Sequence, residues 1–468
     1  MDGQKLSPRT KIAFGIGDIG GNVVFTIMAF WVQPFLIDTL GLMPAFAGIA
    51  VWIAKIWDAV TDPLMGFVSD RTRTRWGRRR PYLFIGAFLA LVAMGVMFLN
   101  PHFNRLTQQS ELFVWAIFAY CLLCTAYTIF NIPYSAITPD LTTDYHEQTS
   151  LNGTRMTFAV VGTILGASAF QPLYLLFTPA GSPDNSPGYL AAGIIFGAVV
   201  MAVTLITFFF VREKPVEAQA RTHVREIFRS YFHVLRNKPY RIVLLTYAIS
   251  IIGTSIIGAI IVLYFKYIYQ AEDLAFIALS AMLGVTLLTV KLVWEPVIRK
   301  VGKHRAYAIG LFIMAVVTLI VFFLAPMFNY VFMFVMMAIA GLGLSSTYIA
   351  PFAMIPDTIE YDQVRSGRRE EGIYYGLWTF FSKSGQAMAG LIYGLVLQVM
   401  QYAPHNNIEV EAMKAAGRPL QTPEAFLGIR LLLGPIATIF LIAAGFLVLT
   451  YPITEKVYLE MMDKKKGG

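Results

Sequence analysis

Apolar and polar positions occur in long separate blocks along this chain. Each apolar block approaches or exceeds the roughly 20 residues that a helix needs to cross a bilayer. Short polar segments separate the blocks. The pattern predicts twelve membrane-spanning helices, numbered here as spans 1 to 12: residues 13–37, 45–68, 82–99, 112–137, 155–178, 189–211, 240–268, 273–298, 304–325, 328–353, 371–400 and 424–450.

The basic residues follow a second pattern, because they concentrate in alternate loops. The loops after spans 2 and 8 and the middle segment are rich in Arg and Lys, whereas residues 178–188 contain neither. Such an excess marks the cytoplasmic loops of membrane proteins, so we expect both termini to be cytoplasmic. The predicted organisation is an N-terminal six-helix bundle (1–211), a cytoplasmic middle loop (212–239) and a C-terminal six-helix bundle with a cytoplasmic tail (240–468).

A short motif is repeated at equivalent places in the two halves. "WGRRRPY" (76–82) follows span 2, and "VGKHRAY" (301–307) follows span 8; both have a Gly, a basic run and a final Tyr at the same offsets. Six spans repeated as six more are typical of secondary transporters, whose site lies at mid-membrane between the halves. The alternative is that any short cytoplasmic loop attracts cations.

The composition supports a membrane protein and excludes other classes. Hydrophobic residues make up 57% of the 468 residues and charged residues 14%, against about 25% charged in soluble domains. Mean hydropathy is +0.61. The net charge of +9 is explained by the loop cations, so we expect no nucleic-acid partner. Cys121 and Cys124 are interpreted as buried small side chains. We recognise no cleavable signal peptide before the first span. We also recognise no Walker loop, zinc-ligand cluster or nucleophile elbow, so we expect no enzyme and no cofactor.

Three charged residues lie inside span 2. Lys55, Asp58 and Asp62 are spaced three and four apart, which places them on one helix face. A charge at mid-membrane costs at least about 2.5–3.5 kcal/mol, so these residues need a cavity or a partner. Lys55 can pair with Asp58, which leaves Asp62 without a local partner. The pair of acids predicts a site for Na⁺ or a proton; a static salt bridge is the alternative.

Other polar residues inside the spans are candidates for the same region. Thr128 and Asn131 in span 4 could supply oxygen to a cation and a hydrogen bond to a polar substrate, or simply bond between helices. Arg155 in span 5 could hold a substrate headgroup, or extend to the interface. Lys383 lies deep in span 11 and needs an anion, either the span 2 acids or a substrate. Gly162 and Gly166 predict close helix packing.

Charges of both signs occur in the cytoplasmic stretch at 356–372. Together with the arginines after span 2 they could form salt bridges that close the inner side and open during a transport cycle. A solvated charged loop is the alternative. The candidate gating residues are Arg78, Arg79, Asp357, Glu360 and Arg368.

These motifs together resemble the melibiose-permease branch of the major facilitator superfamily, the glycoside–pentoside–hexuronide:cation symporters. The matching segments are "IWDAVTDPLMG", "DRTRTRWGRRRPY", "YTIFNIPY", "EYDQVRSGRREEG" and "FFSKSGQ". The resemblance implies the major facilitator fold, an all-α membrane protein of two pseudo-symmetric six-helix bundles. It also implies that Asp58 and Asp62 bind Na⁺, Li⁺ or H⁺ with help from Thr128, that Lys383 lies beside them, and that Arg155 matches a family Arg.

The chain departs from that pattern at the sugar-binding acids. Melibiose permeases place an acid in span 1 and another in span 4, where this sequence has Asn22 and Asn131; Asp18 is nearby but out of register. Recognition of a galactoside by paired carboxylates is therefore not expected. An Asn can still bond to hydroxyls, so Asn22 and Asn131 remain candidates for binding other glycosides.

A second resemblance concerns the substrate. "NIPYSAIT", "TRMTFAVVGTILG" and "AMIPDTIEYD" are similar to the sodium-dependent lysophosphatidylcholine symporters, a sister group. We narrowly favour a lysophospholipid driven by Na⁺ or H⁺, with a sugar or glycoside as the alternative and a cation channel as a remote one. The expected setting is the plasma membrane, or the inner membrane of a bacterium, with the chain a monomer that meets the lipid bilayer and an organic or amphiphilic solute.

Overall fold

The computed structural model describes residues 6–141, 145–179, 182, 184–212, 231–366, 371–405 and 407–467. Almost all of these residues are helical. Eleven of the described helical segments are long and apolar enough to cross a membrane. The predicted fold class, an all-α membrane protein, is confirmed.

The helices of the first half lie close to the predicted spans. They are α1 (Pro8–Phe30), α2 (Val32–Pro34), α3 (Pro44–Arg71), α4 (Arg80–Met97), α5 (Gln109–Leu141), α6 (Tyr145–Ile164), α7 (Phe170–Phe177) and α8 (Ser186–Phe210). Several of them begin with a proline in the first turn, where its missing N–H removes no intrahelical bond. The Ser7 hydroxyl caps α1 by accepting from the Thr10 N–H at 3.1 Å.

The second half repeats this helical arrangement. Its helices are α9 (Lys238–Leu263), α10 (Ala275–Thr289), α11 (Glu295–Val301), α12 (Lys303–Leu324), α13 (Tyr330–Ser366), α14 (Glu371–Val399), α15 (Asn407–Ala415), α16 (Pro423–Leu431), α17 (Ala437–Leu449) and α18 (Glu455–Gly467). The predicted span 11 corresponds to α14, which is 29 residues long but is not among the eleven apolar segments. Its polar run from Ser382 to Gln386 interrupts the apolar sequence.

Short segments of other helix types join or interrupt these elements. The π-helical segments are Phe35–Thr39, Leu165–Ala169, Tyr264–Ile268, Val290–Trp294 and Leu432–Ile436, and the 3₁₀ segments are Glu272–Leu274 and Ala325–Met327. Two of the π segments, Phe35–Thr39 and Tyr264–Ile268, come at the ends of the equivalent spans 1 and 7. Wide turns of this kind often occur at functional sites.

The chain forms two compact units, Met1–Ala218 with Gly390–Gly428, and Gln219–Ala389 with Ile429–Gly468. In the first unit, Gln33 donates to the Gly390 carbonyl at 3.0 Å and the Tyr402 hydroxyl donates to the Asp38 carboxylate at 2.5 Å. The division of the sequence at residues 211 and 240 remains a prediction.

The same helix pairs pack in both units. In the first, α3 and α4 both pack against α5, and α8 packs against α1 and α4. In the second, α10 and α12 both pack against α13, and α17 packs against α9 and α12. This shared pairing supports the internal repeat that the loop motif predicted.

The glycine of the repeated loop motif has a conformational role. Gly77 has a φ of +108° and Gly302 has a φ of +88°, values that residues other than glycine rarely adopt. The Tyr of each motif then bonds within its own unit: Tyr82 to Thr72 at 2.5 Å and Tyr307 to Ser250 at 2.7 Å. In both halves, therefore, the motif places a glycine with positive φ shortly before the next helix, α4 or α12.

We expect Gly302→Ala to destabilise the protein by about 1–3 kcal/mol. Gly302 has a φ of +88° and a ψ of 157°, and a residue with a Cβ is strained in this conformation. Gly284→Ala is the matched control. Gly284 lies inside α10 with open space around its Cβ position, so this change should be neutral or stabilising by up to about 1 kcal/mol. Thermal unfolding in detergent measures both variants, and equal midpoints for the two would contradict the prediction.

Candidate functional site

Two acids of α3 and one hydroxyl of α5 form the centre of the candidate cation site. The Thr128 hydroxyl is within hydrogen-bond distance of Asp58 Oδ1, at 3.1 Å, and of Asp62 Oδ1, at 2.9 Å. Asp58 is 1% exposed, Thr128 2% and Asp62 7%. The structure thus brings together all three residues that the sequence proposed as cation ligands.

The geometry concentrates negative charge around one hydroxyl. Thr128 has a single proton, so it cannot donate fully to both carboxylates. The two Oδ1 atoms lie within about 6 Å of each other because both are bonded to the same oxygen. Two full negative charges at that distance repel by about 3 kcal/mol at an effective dielectric constant of 20. A cation or a proton at this place would relieve the repulsion.

The backbone of α3 is altered at the position that follows these acids. Pro63 follows Asp62 directly and has no N–H, so the Ala59 carbonyl does not receive the usual helical bond from position 63. The Thr61 hydroxyl donates to the Asp58 carbonyl at 3.3 Å. Carboxylate, hydroxyl and carbonyl oxygens are the ligands that hard cations prefer.

Lys55 is buried one turn before Asp58, at 4% exposure. Its Nζ lies 5.9 Å from the ring centroids of both Phe25 and Tyr120, so two aromatic faces contribute to its stabilisation. The ion pair with Asp58 that the spacing suggested remains a prediction.

A second charged cluster lies in the same unit, where α1, α5 and α6 meet. Arg155 donates through Nε and Nη2 to the two oxygens of Asp18, at 2.7 and 3.1 Å, and through Nη1 to Thr138 at 2.7 Å. The Tyr134 hydroxyl lies 2.7 Å from Asp18 Oδ2 and 2.6 Å from the Phe14 carbonyl. Arg155 therefore forms a two-pronged salt bridge, which is the strong geometry for this pair.

Asp18 is the residue of this cluster that the sequence analysis did not assign. The sequence did contain a signal, because an acid within span 1 and an Arg within span 5 both need partners in a membrane. Their separation of 137 positions gives no local pattern that would pair them. Only the fold brings them together.

The two candidate substrate asparagines lie near α1. The Asn22 amide donates to the Asp18 carbonyl one turn earlier, at 2.8 Å. Asn131 Oδ1 lies so close to Gly21 that a Cβ at position 21 would come within 2.7 Å of it. Both side chains are half-buried. The role of Asn22, Asn131 and Arg155 in binding a substrate remains a prediction.

Helix α5 connects the two charged clusters. Thr128, Asn131, Tyr134 and Thr138 are spaced three, three and four residues apart, so they form one stripe along the helix. Thr128 is part of the acid pair and Tyr134 contacts Asp18. At 1.5 Å per residue the two positions are separated by about 9 Å along the axis.

Lys383 belongs to the second unit and is half-buried on α14. The Ser384 hydroxyl beside it donates to the Phe380 carbonyl at 2.9 Å, and Gly385 approaches the Ala248 carbonyl of α9. The predicted role of Lys383, as a partner of the cation site or of a substrate, remains a prediction.

The candidate gating residues have partners inside their own units. Arg79 is buried, forms a salt bridge with Asp70 at 2.7 Å and donates to the Ala136 carbonyl. In the second unit, Lys303 forms a salt bridge with Asp357 at 2.7 Å; in the repeated motif Lys303 aligns with Arg78, one position before Arg79.

The other three candidate gating residues are Arg78, Glu360 and Arg368. Arg78 and Glu360 are half-buried, and Arg368 lies outside the described residues. Gating by salt bridges that close the inner side and open during a transport cycle therefore remains a prediction.

The fold and these buried charges define a membrane transporter of the major facilitator class. The chain belongs to the MFS/sugar transport protein family, whose model matches residues 13–455. The recognised family is thereby confirmed. The resemblance to transporters is consistent with the expectation that the chain is not an enzyme.

Three relatives match most of the chain. The chain is 27% identical to an uncharacterized symporter of Synechocystis sp., over 99% of this chain and 97% of the relative. It is 29% identical to a putative sulfoquinovose importer of Salmonella typhimurium, over 86% and 83%. It is 26% identical to the sodium-dependent lysophosphatidylcholine symporter 1-A of Danio rerio, over 96% and 87%.

Solved structures support the fold. A mutant of the nucleoside transporter NupG superposes with a TM-score of 0.67 and 12% identity, over 94% of this chain and 99% of that one. At this identity the likeness concerns the fold alone. The predicted major facilitator fold is confirmed.

Proposed function

We propose that this protein is a cation-coupled symporter that moves an organic solute across the membrane by alternating access. The observation that supports the proposal most is the buried pair Asp58 and Asp62 around the Thr128 hydroxyl. The geometry brings two buried carboxylates together around one hydroxyl. A transported cation would bind to these oxygens and offset part of their negative charge.

The coupling follows from this electrostatic balance. The cation enters from outside, binds at Asp58 and Asp62, and neutralises the site before the solute binds. The loaded carrier then opens inward and releases both. By linkage, the cation must raise the affinity for the solute by the same factor by which the solute raises the affinity for the cation.

Sodium is the coupling ion that the oxygen ligands favour. Two carboxylates and a hydroxyl form a hard donor set, and Pro63 keeps a backbone carbonyl free of its usual helical bond. A proton carried by one of the acids is the alternative. The relative from Danio rerio is named as sodium-dependent, which supports the first choice.

Two solute classes have support. A lysophospholipid is favoured narrowly by the sequence motifs, and one relative is named for lysophosphatidylcholine. A sugar or glycoside is supported by the family description and by the relative named as a sulfoquinovose importer. We expect a monomer in the plasma membrane, or in the inner membrane of a bacterium, with both termini in the cytoplasm.

Purified protein in liposomes tests the function directly. Three probes are offered with an inward sodium gradient, an inward proton gradient or no gradient: lysophosphatidylcholine, methyl β-glucoside and sulfoquinovose. Albumin extraction separates lysophosphatidylcholine in the two leaflets. We expect the sodium gradient to drive accumulation of one probe above its external level. Equilibration of a probe at the same rate and to the same level under all conditions would contradict coupling, and dissipation of the ion gradient without any solute would indicate a channel.

A further inference from the structure

The proposed cation site does not use the salt bridge between Asp18 and Arg155. Asp18 is 8% exposed and Arg155 is half-buried, and the two lie on different helices, α1 and α6. Asp18 accepts from Arg155 Nε and Nη2 and from the Tyr134 hydroxyl. Two Arg155 nitrogens thus donate to one carboxylate inside the membrane segment of the chain, and the single Tyr134 hydroxyl proton is shared between that carboxylate and the Phe14 carbonyl.

This arrangement fixes the guanidinium without using all of its donors. Arg155 has five N–H hydrogens, and the bonds to Asp18 and Thr138 use one on each of its three nitrogens. One N–H on Nη1 and one on Nη2 lie outside these three bonds, and among the described residues the Tyr134 hydroxyl is a further hydrogen-bond neighbour of the guanidinium. Both bonds to Asp18 and the bond to Thr138 restrict rotation of the side chain, so the direction of the two remaining donors is set.

Tyr134 holds Asp18 in turn. Its ring fits against Gly17, where an added Cβ would come within 2.5 Å of the Tyr134 ring. The faces of Phe14 and Tyr134 lie 5.4 and 5.0 Å from the Arg155 guanidinium. The aromatic side chains and the carboxylate together form a site built around a single Arg orientation.

We propose that Asp18 is a positioning residue of the substrate site: it orients Arg155 and balances its charge, so that a remaining N–H donor of the guanidinium binds an oxygen atom of the solute. The proposal rests on the proposed function and adds a residue to it. The oxygen can belong to a hydroxyl, a phosphate or a sulfonate, since a guanidinium donates to all three.

The position of the pair also relates it to the cation site. Tyr134, which bonds to Asp18, lies on the same stripe of α5 as Thr128, which bonds to Asp58 and Asp62. A shift of α5 on cation binding would move Tyr134 together with Thr128. Because Tyr134 contacts Asp18, such a shift would change the position of Asp18 and Arg155, and with it the affinity for the solute.

A purely structural tie between α1 and α6 is the competing explanation, and the experiment separates the two. Wild type, Asp18→Asn, Arg155→Lys and the charge exchange Asp18→Arg with Arg155→Asp are reconstituted in liposomes. Exchange of the three probes named above is measured at equal concentrations on both sides without an ion gradient, together with the thermal unfolding midpoint. Glu111→Gln, at an exposed acid near the start of α5, is the control.

We expect Asp18→Asn to raise the half-saturation concentration of the exchanged probe about 10-fold to 100-fold, because a charge-assisted contact loses its alignment. The maximal rate should stay within a few-fold of wild type. Arg155→Lys should show the same loss, since an ammonium lacks the planar fork. The charge exchange should bring the unfolding midpoint back to the wild-type value, because the salt bridge re-forms. It should not restore the affinity, because the guanidinium would then lie on α1 and not on α6.

Two results would overturn the proposal. One is a charge exchange that restores both stability and half-saturation, which would make the pair a structural tie. The other is an unchanged half-saturation in Asp18→Asn. If Asp18→Asn fails to fold, the charge exchange and Arg155→Lys decide alone. A wild type that exchanges none of the probes rejects the proposed function together with this inference, whereas normal wild-type exchange with normal variants rejects only the inference.

Discussion

Asp62→Asn is expected to abolish cation-driven accumulation while the protein still folds. The change keeps the size of the side chain and removes one of the two negative charges around the Thr128 hydroxyl. A cation and a carboxylate 4 Å apart attract by about 4 kcal/mol at an effective dielectric constant of 20, which corresponds to roughly a thousand-fold in affinity. The coupling ion would then fail to occupy the site at any ordinary concentration.

Uptake into liposomes under an inward sodium gradient measures the effect. The wild type should accumulate the solute, and Asp62→Asn should bring it at most to equilibrium. A second readout needs no solute: sodium should raise the unfolding midpoint of the wild type and leave that of the variant unchanged, because an ion that binds to the folded state and not to the unfolded chain stabilises the fold. Driven accumulation at the wild-type level in Asp62→Asn would reject the assignment of this site.

A pair of variants at Thr128 gives the matched control. Thr128→Ser keeps the hydroxyl between the two acids and should retain coupling. In Thr128→Val the side chain keeps nearly the same shape but lacks the hydroxyl oxygen. The rise of the unfolding midpoint with sodium should therefore lie between that of the wild type and that of Asp62→Asn. If Ser and Val behaved alike, the hydroxyl bonds to Asp58 and Asp62 would have no role in ion binding.

Much of the fold could be predicted from the sequence because a bilayer imposes a simple length rule. Apolar runs give the helices, and the loop cations predict their orientation. The polar run around Lys383 makes α14 less apolar than the other spans, yet its length is sufficient to cross. The π-helical segments were not predictable, because packing within the fold decides where a helix takes an extra residue in one turn.

Spacing alone predicts the candidate site only where its residues are neighbours in sequence; Thr128 was assigned to it from its polarity within span 4 and from the family resemblance. Asp58 and Asp62 are four apart on one helix, so their shared face followed from spacing alone. The bonds from Thr128, and the pair formed by Asp18 and Arg155, connect residues more than 60 positions apart. Spacing also does not show every neighbour: the Lys55 ammonium has two aromatic rings 5.9 Å away, on α1 and α5, and its ion pair with Asp58 stays a prediction.

Gly162→Leu is expected to reduce transport by about 100-fold, because it separates the two helices that carry Asp18 and Arg155. A Cβ at Gly162 would lie 2.6 Å from the Ile19 carbonyl oxygen and 2.9 Å from the Ile19 Cα, both backbone atoms of α1 that cannot rotate away. The helices would have to move apart by about 1 Å, and a misplacement of that size in a functional site can cost about 100-fold. The overpacking itself should destabilise the fold by about 1–3 kcal/mol.

Gly153 offers the matched control on the same helix α6, since an added Cβ there meets nothing within 4 Å. Gly153→Ala should transport normally, whereas Gly162→Ala should already lower transport, and Gly162→Leu should lower it further. Exchange rates and unfolding midpoints measured together separate a misplaced site from a protein that has not folded. Because Ile19 directly follows Asp18, wild-type half-saturation in a folded Gly162→Leu variant would show that solute binding tolerates a displaced α1, and the close approach of α1 and α6 would then have no functional role.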